Sequence, residues 1–306
     1  MSRYAAIDIG TNSVLLLVAE RDAKGRWQAV EERAEITRLG KGVDASKRLS
    51  PESMELTLEV LTRFAAEARA LGVRDFAVSA TSAARDASNG AEFLAAVKAR
   101  AGLTVEILPG DEEARLSFAS ALADFGGERP LVVIDIGGGS TEFIFGDTAG
   151  AITFRRSFDV GSVRLTERFL RGDPPAPVEL STMEDFLRQT FAALPPPPSG
   201  FQLVGVAGTV TTICAVARTI EPYDPTLVHG AELARDEIVD TTQRLAHLPV
   251  ALRRTLPGLQ PKRADVIVAG AFILRAALDA LGAPTVVVSD RGLRWGLLAD
   301  RFGKAP

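Results

Sequence analysis

Residues 131–146 read LVVIDIGGGSTEFIFG, a stretch that predicts a β-hairpin with an unusual turn. Its first four residues form an unbroken apolar run, which is typical of a strand buried on both faces. Asp135 ends that run. The turn then supplies three glycines, two hydroxyls and a carboxylate, which are Gly137, Gly138, Gly139, Ser140, Thr141 and Glu142. This composition suits a phosphate and its metal ion, because bare N–H groups bind the oxygens and carboxylates bind the cation.

The same order of residues occurs near the N-terminus, where residues 4–18 read YAAIDIGTNSVLLLV. Asp8-Ile9-Gly10 repeats Asp135-Ile136-Gly137, and Ser13 repeats Ser140. The shared order of strand, Asp, Gly, hydroxyl and strand predicts two structurally similar halves, each with a phosphate-binding hairpin. Two ordinary hairpins with glycine turns are the alternative, but such turns rarely repeat an Asp just before the glycine at the end of a buried strand.

The size and charge of the chain define its class. Its 306 residues predict two domains. Hydrophobic residues make up 46% and charged residues 24%, which is typical of a soluble globular protein with a substantial core. The net charge of -4 gives no global basic field, so nucleic acid is not an expected partner. A polyanionic substrate would need a local basic patch.

The rare residue types indicate where the protein works. The single cysteine, Cys214, cannot form an internal disulfide, which favours a cytoplasmic protein. The first residues contain no signal-peptide core, and no run of 18 apolar residues predicts a membrane span. The two histidines, His229 and His247, are too few for a histidine-based metal site, and we expect both at the surface.

The pattern of apolar segments predicts the element order βββαβαβα, twice. We place the first domain at residues 1–124 and the second at residues 125–306, because the segment that starts at Asp124 is polar and rich in glycine. The last helix can pack back on the first domain. Ser50 and Pro51 predict the start of a helix that ends near residue 70. The result is a duplicated α/β fold with the ligand expected in a central cleft.

Two further segments carry candidate site residues, each with a structural alternative. Arg85 follows a predicted strand in a segment of small and hydroxyl residues, and it can either bind a phosphate or form a surface pair with Asp86. Glu112 and Glu113 lie in the first turn of a predicted helix. The helix dipole favours acids there, but one of the two can instead be a general base.

The second half contains two comparable segments. Gly208 and Thr209 begin an apolar helix, which fits either an anion site at a helix N-terminus or a capped core helix. A basic cluster lies near the loop at residues 249–261, and it is either a solvated rim or a determinant of specificity. Its members are Arg253, Arg254, Lys262 and Arg263.

Together these segments resemble the exopolyphosphatase and guanosine pentaphosphate phosphohydrolase (Ppx/GppA) family. That family has the actin-like, or ribonuclease H-like, fold that is also found in sugar kinases. The stretches that carry the resemblance are AAIDIGTNSVLLLV (5–18), SATSAARDASN (79–89), GDEEARLSF (110–118), IDIGGGSTEF (134–143), GVAGTVTTICA (205–215), KRADVIVAGAFIL (262–274) and VSDRGLRWGLL (288–298). They span the whole chain, and the first and fourth distinguish the family from kinases of the same fold.

The resemblance implies roles for individual residues. Glu113, 22 residues before Asp135, matches the family's proposed base for the attacking water, with Glu112 as the alternative, and Arg85 matches an arginine that faces the cleft. The other matches are the metal-binding acids Asp8, Asp135 and Glu142, the phosphate-binding residues Asn12, Ser13, Gly137, Gly138, Gly139, Ser140 and Thr141, and the nucleotide-binding segment at Gly208 and Thr209. So small a set of oxygen ligands favours Mg²⁺ or Mn²⁺ over Zn²⁺.

The implied reaction is hydrolysis of the terminal phosphate of inorganic polyphosphate, with pppGpp as a second substrate. The chain resembles the short members of the family, which lack a C-terminal HD-like region, and we expect a homodimer. An ATP-dependent small-molecule kinase of the same fold is the alternative enzyme. A regulator that binds nucleotide or polyphosphate with an inactive site is the alternative without catalysis.

Overall fold

The computed structural model describes residues 2–303, which fold into two compact units. Residues 2–120 and 293–303 form the first unit, and residues 121–292 form the second. The division between them falls inside a helix, Gly110–Phe125, rather than in the polar segment that follows it.

A five-stranded sheet is the centre of the first unit, with strand order β3-β2-β1-β4-β5. Its strands are β1 (Arg3–Ile9), β2 (Ser13–Arg21), β3 (Trp27–Ile36), β4 (Val73–Ala80) and β5 (Glu106–Ile107). The helices of this part of the chain are α1 (Val43–Ser46), α2 (Pro51–Ala70), α3 (Ser82–Asp86), α4 (Gly90–Ala101) and α5 (Gly110–Phe125). β1, β2 and β3 are antiparallel neighbours, while β4 and β5 extend the sheet in parallel.

The helix predicted at residues 51–70 is confirmed as α2. The Ser50 hydroxyl caps it by accepting a backbone N–H at 3.1 Å, and Pro51 occupies the first helical position. Gly72 follows the helix with a φ of 74°, a left-handed conformation that glycine adopts without strain. The apolar face of α2, which includes Leu61 and Phe64, is buried against one face of the sheet.

A six-stranded sheet forms the second unit, with strand order β10-β11-β9-β6-β7-β8. Its strands are β6 (Leu131–Ile136), β7 (Thr141–Gly146), β8 (Ile152–Phe158), β9 (Gln202–Val206), β10 (Glu232–Ala234) and β11 (Thr285–Val288). Its helices are α6 (Ser162–Phe169), α7 (Pro177–Phe191), α8 (Ala207–Arg218), α9 (Pro225–Val228), α10 (Arg235–His247), α11 (Val250–Arg253) and α12 (Ile267–Leu281). β6, β7 and β8 are antiparallel, and β9 pairs in parallel with β6, so the first unit's arrangement recurs.

Two elements of the second unit differ from the predicted pattern. β10 is an additional strand, antiparallel to β11, and its three residues are too few to produce a periodic signal. The basic residues ahead of α12 also form no part of that helix: α12 begins at Ile267, and Pro261–Arg263 forms a separate 3₁₀ turn.

Gly270 on α12 lies at a close helix–helix contact. A Cβ atom at this position would lie 2.5 Å from the Cγ2 atom of Thr209, far inside van der Waals distance. Glycine therefore allows α12 to approach α8 directly, and most of α12 is buried in the core of the second unit.

The last helix, α13 (Leu293–Phe302), belongs to the first unit. It covers the sheet face opposite α2, where Phe302 stacks on Tyr4 with ring centroids 4.5 Å apart. Gly296 lets α13 cross α5 closely, since a Cβ there would lie 2.0 Å from the carbonyl oxygen of Leu116. Among residues 2–303, no helix has the length and apolar character needed to cross a membrane.

Candidate active site

The second hairpin, β6–β7, carries two carboxylates side by side. Asp135 and Glu142 are direct partners across the antiparallel ladder, and Ser157 on β8 is the next residue in the same row. Cross-strand partners project from the same face of a sheet, so these three side chains share one face. The Ser157 hydroxyl donates to Glu142 Oε1 at 2.7 Å, and both acids are buried.

The turn of this hairpin is held by the N-terminus of α6. The Ser162 N–H donates to the Gly137 carbonyl at 3.0 Å, and the Val163 N–H donates to the Gly138 carbonyl at 2.9 Å. Gly161 makes this approach possible, because a Cβ there would lie only 2.4 Å from the Gly138 carbonyl group. Successive carbonyls of the turn therefore point towards α6.

The N–H groups of the turn consequently point away from α6. Arg164 Nε on α6 holds the Gly139 carbonyl as well. In a trans peptide the C=O and the following N–H are antiparallel, so fixing the carbonyls of Gly137, Gly138 and Gly139 orients the next three N–H groups. These N–H groups, on Gly138, Gly139 and Ser140, have no acceptor among residues 2–303. A run of N–H groups on one side of a turn is the kind of arrangement that anion-binding turns use.

The first hairpin, β1–β2, has the same turn. The Gly10 N–H donates to the Ser13 carbonyl at 2.9 Å, and the Gly137 N–H donates to the Ser140 carbonyl at 3.0 Å. The predicted repeat of the two turns therefore extends to their hydrogen bonds. The acidic pair is not repeated, because the residue opposite Asp8 in the ladder is Leu15 rather than a glutamate.

The segment that follows the third strand anchors the first turn, just as α6 anchors the second. The N–H groups of Thr37 and Arg38 donate to the Asn12 carbonyl at 3.1 and 2.9 Å, and the Gly40 N–H donates to the Thr11 carbonyl at 2.8 Å. Gly40 matches Gly161 in function, since a Cβ there would lie 2.3 Å from the Thr11 side chain.

Asn12 has an unsatisfied side chain. The residue is 6% exposed, yet neither atom of its side-chain amide has a hydrogen-bond partner in the described part of the chain. Buried amides almost always have a partner, so this side chain keeps a donor and an acceptor that another group could satisfy. The neighbouring Thr11 hydroxyl lies 2.7 Å from the Ser82 hydroxyl, which ties the turn to α3.

Arg85 and Glu113 lie close together in the first unit. Arg85 Nη1 is 3.7 Å from Glu113 Oε2, and Nη1 donates to the Leu108 carbonyl at 2.9 Å. Glu113 is 8% exposed, at the start of α5. Arg85 also lies 3.8 Å from Asp86, so the pair with Asp86 is present alongside the contact with Glu113.

Glu112, the neighbour of Glu113, has different contacts. Both of its oxygens accept N–H groups of Arg115, at 2.7 and 2.9 Å, and Arg115 also contacts Asp300 at 2.7 Å. The hydrogen bonds from Arg115 lower the pKa of Glu112 below its ordinary value. Glu112 is thus committed to an ion-pair network, while Glu113 faces Arg85.

Gly208 and Thr209 lie in the first turn of α8, directly after its strained first residue. Ala207 has a φ of 72°, a left-handed conformation that is unfavourable for alanine. The Arg263 guanidinium packs against Gly208, where a Cβ would lie 2.3 Å from Nη2. Loss of hydration lowers the pKa of Arg263 to about 10. Thr209 is buried, with its methyl group against Gly270.

The basic cluster is not a uniform solvated rim. Arg253 is 2% exposed and donates through Nε to the Leu248 carbonyl at 2.8 Å and through Nη1 to the Ala264 carbonyl. It also pairs with Asp173 at 3.2 Å. Interpreting this arginine as a rim residue is wrong, because its donors hold three chain segments together in the interior.

The expectation for the histidines holds for His247, which is exposed, but is wrong for His229. His229 is half-buried, with its ring 5.1 Å from the ring of Phe125. Its Nδ1 accepts the Asp290 N–H at 3.3 Å, and its Nε2 lies 3.8 Å from Asp124. Packing against an aromatic ring and these polar contacts explain the burial.

Gly161, Arg164 and Ser157 were not predicted from the sequence. For Gly161, the position in the chain could have indicated the role, since it follows the third strand of its half just as Gly40 follows the third strand of the other half. Arg164 Nε donates to the Gly139 carbonyl at 2.7 Å and so completes the anchoring of the turn. The contact depends on a sequence separation of 25 residues, which no local pattern reveals.

The donor set suits a divalent ion that keeps water ligands. Across the described residues, no group of three or more His, Cys, Asp or Glu side chains could hold a metal by itself. Asp135 and Glu142 nevertheless present two carboxylates on one face, directly opposite each other. Mg²⁺ is commonly bound by one or two carboxylates together with waters and substrate phosphates, so these residues fit it.

Comparison with known proteins gives a consistent result. Residues 17–305 match the Ppx/GppA phosphatase family. The chain is 36% identical, over an alignment of 319 positions, to a protein named Exopolyphosphatase 2 from Mycobacterium tuberculosis, and the alignment covers 99% of each chain. It is also similar to the crystal structure of the Aquifex aeolicus member of the Ppx/GppA family, with 33% identity, a TM-score of 0.83 and coverage of 99% and 98% of the two chains.

A third similarity concerns the fold alone. The crystal structure of an exopolyphosphatase from Cytophaga hutchinsonii is 24% identical, with a TM-score of 0.89 and coverage of 100% of this chain and 99% of that one. The duplicated α/β fold predicted from the sequence is confirmed by these similarities.

Proposed function

The chain belongs to the Ppx/GppA phosphatase family, and we propose that it is an exopolyphosphatase, which releases the terminal phosphate of inorganic polyphosphate. The observation that carries this proposal is the buried Glu113 carboxylate 3.7 Å from Arg85, in a chain whose two hairpin turns have the same anion-binding form. The M. tuberculosis relative is named an exopolyphosphatase, which supports the same substrate. pppGpp is a second candidate substrate, because it also ends in a phosphoanhydride.

Glu113 is our candidate for the base. Phosphoryl transfer to water requires a nucleophile aligned with the breaking P–O bond and neutralisation of the phosphoryl charge. A carboxylate oxygen of Glu113 would accept a hydrogen bond from the attacking water and then its proton. The water oxygen bonds to the terminal phosphorus, the bridging P–O bond breaks, and the shortened chain leaves. Glu112 is less suited, because Arg115 engages both of its oxygens.

Arg85 is our candidate for a phosphoryl ligand. A guanidinium presents five N–H donors in a fork, and the Leu108 carbonyl takes one of them. The contact with Leu108 also fixes the direction of the side chain. Arg85 would therefore reach an anionic oxygen close to Glu113 without searching many rotamers.

The turn at residues 137–140 is our candidate for binding phosphate oxygens in the second unit. Its three N–H groups are oriented before any ligand arrives, so binding requires little reorganisation. Asn12 supports an equivalent role for the first turn, since its buried amide has a donor and an acceptor to offer.

Asp135 and Glu142 would hold Mg²⁺, and the role of Asp8 as a ligand stays a prediction from the sequence. The bound ion would neutralise part of the negative charge on the phosphoryl oxygens. Ser157 fixes one oxygen of Glu142 by donating to it, which leaves Asp135 and the other Glu142 oxygen as the candidates for direct contact. Cytoplasmic location and a homodimer stay predictions from the sequence.

A substrate panel tests the proposal. Tripolyphosphate, long-chain polyphosphate, pppGpp and ATP are each incubated with Mg²⁺, and released phosphate is measured for wild type, Glu113→Ala and Glu112→Ala. We expect release from polyphosphate that Glu113→Ala decreases by at least about 100-fold, whereas Glu112→Ala retains most of it. Equal rates for wild type and Glu113→Ala would remove Glu113 from the mechanism.

The same panel separates the alternatives. ADP formation that depends on an added acceptor would identify a kinase of the same fold. Binding of polyphosphate or pppGpp without any phosphate release would identify a regulator. Either result would overturn the exopolyphosphatase assignment.

A further inference from the structure

We propose that Arg164 is a positioning residue for the phosphate-binding turn, an inference that rests on the proposed function. Arg164 lies in the first turn of α6, and its side chain is only 11% exposed. Its Nε donates to the Gly139 carbonyl at 2.7 Å, a short and well-directed hydrogen bond from a charged group. The side chain thus contacts the turn itself, and its Nη2 also lies 3.8 Å from Asp159 Oδ1.

The role follows from the orientation of three successive peptide groups. Backbone N–H groups of α6 hold the carbonyls of Gly137 and Gly138, and these two contacts orient the N–H groups of Gly138 and Gly139. The third carbonyl, that of Gly139, is held by Arg164 Nε. Arg164 therefore orients the Ser140 N–H, the last of the three N–H groups that point away from α6.

The first unit performs the same task without a side chain. There, the last carbonyl of the turn, that of Asn12, accepts from the backbone N–H groups of Thr37 and Arg38. Only in the second turn is this position held by a side chain, among the anchors that the structure describes. A substitution can therefore remove one anchor and leave the backbone of α6 unchanged.

Two explanations for a functional effect of Arg164 can be separated by chemistry. If the Nε donor is what matters, a neutral side chain with a donor in the same place restores function. Glutamine meets this requirement, because its Nε2 is separated from Cα by the same number of bonds as the Nε of arginine. Methionine has the same length without a donor. If the positive charge is what matters, Arg164→Gln and Arg164→Met are equally impaired.

The experiment compares wild type, Arg164→Gln, Arg164→Met and the control Arg168→Met. For each protein, kcat and KM are measured separately on tripolyphosphate with Mg²⁺, and the melting temperature is recorded. Arg168 lies one turn further along α6, is exposed, and packs on the rings of Phe169 and Phe186. We expect Arg164→Met to lower kcat by about 100-fold, which is the usual effect of removing one preorganised hydrogen-bond donor. The kcat of Arg164→Gln should be at least about tenfold higher than that of Arg164→Met. Arg168→Met keeps the wild-type kcat.

Equal kcat values for Arg164→Gln and Arg164→Met, or a wild-type kcat for Arg164→Met, would overturn the proposal. If Arg164→Met does not fold, Arg164→Gln alone decides: a kcat within about tenfold of wild type supports positioning, and a larger loss overturns it.

Failure of the proposed function is recognised separately. If wild type releases no phosphate from any polyphosphate, that assignment falls, and calorimetric binding of tripolyphosphate to the same four proteins still tests Arg164. Tighter binding by wild type and Arg164→Gln than by Arg164→Met supports the positioning role, and equal affinities contradict it.

Discussion

Replacing Gly161 with alanine should damage activity more than stability. Gly161 has a φ of -147°, an extended conformation that alanine adopts freely, so any effect must come from the added methyl group. That Cβ would lie 2.4 Å from both the carbon and the oxygen of the Gly138 carbonyl, where ordinary contact begins at 3.4 Å. The two segments must therefore separate by about 1 Å, the difference between these two distances.

The displacement affects the hydrogen bonds that hold the turn. The Ser162 and Val163 N–H groups now lie 3.0 and 2.9 Å from their carbonyl acceptors, and a further 1 Å or so would break both bonds. Two neutral hydrogen bonds at about 1 kcal/mol each predict a loss of about 2 kcal/mol in the free energy of unfolding. A misplacement of about 1 Å at the reacting groups predicts a decrease of about 100-fold in kcat/KM.

The assay pairs urea denaturation with phosphate release from tripolyphosphate. Gly127→Ala is the matched control, because it lies in the same unit and no atom is within 4 Å of the point that its Cβ would occupy. We expect Gly127→Ala to match wild type in both measurements. If Gly161→Ala instead retained kcat/KM within twofold of wild type while remaining folded, anchoring of the turn by α6 would not be needed for activity.

The remaining predictions concern the interior arginine, the surface network and the acidic pair. Arg253→Met should lower the free energy of unfolding by about 2–4 kcal/mol in urea denaturation, because buried carbonyls including that of Ala264 lose their donor, while kcat/KM stays near wild type. Arg115→Met should be less stable than wild type at pH 7, and the difference should shrink as the pH falls below 4.5. The ordinary pKa of a glutamate is 4.5, and Arg115 lowers the pKa of Glu112 below it. The ion pair therefore contributes its full stability above pH 4.5, and this contribution is lost as the Glu112 carboxylate is protonated at lower pH. Asp135→Asn should raise the Mg²⁺ concentration for half-maximal activity at least about tenfold, measured by metal titration of phosphate release; an unchanged titration would mean that Asp135 is not a ligand.

The features that the sequence predicts well are local. The capped start of α2 and the two Asp-Ile-Gly turns depend on residues within a few positions of one another. Ser50 and Pro51 are therefore sufficient to predict the helix start, and the repeated Asp-Ile-Gly is sufficient to predict the turns. The duplicated α/β fold follows because each half repeats the same order of apolar segments. β10 escaped prediction since three residues give no period.

The features that the sequence does not reveal depend on distant contacts. Glu112 and Glu113 are adjacent and identical in type, and they differ in their contacts. Glu112 belongs to a network of Arg115 and Asp300, and Asp300 lies 185 residues after Arg115 in the sequence. Arg253 reads as a solvated residue, and its burial becomes understandable only with Asp173, 80 residues earlier. Arg164 was missed for the same reason, since its partner carbonyl lies on a turn in another element.

Hydrolysis in water enriched in ¹⁸O tests the central claim most directly. The wild-type protein is given tripolyphosphate and Mg²⁺, and the products are analysed by mass spectrometry for the position of the isotope. Attack of water on the terminal phosphorus predicts one ¹⁸O atom in each released phosphate and none in the pyrophosphate that remains, with both products decreased at least about 100-fold in Glu113→Gln. Isotope in the pyrophosphate, or release that is unaffected in Glu113→Gln, would contradict hydrolysis of the terminal phosphate by water that Glu113 activates.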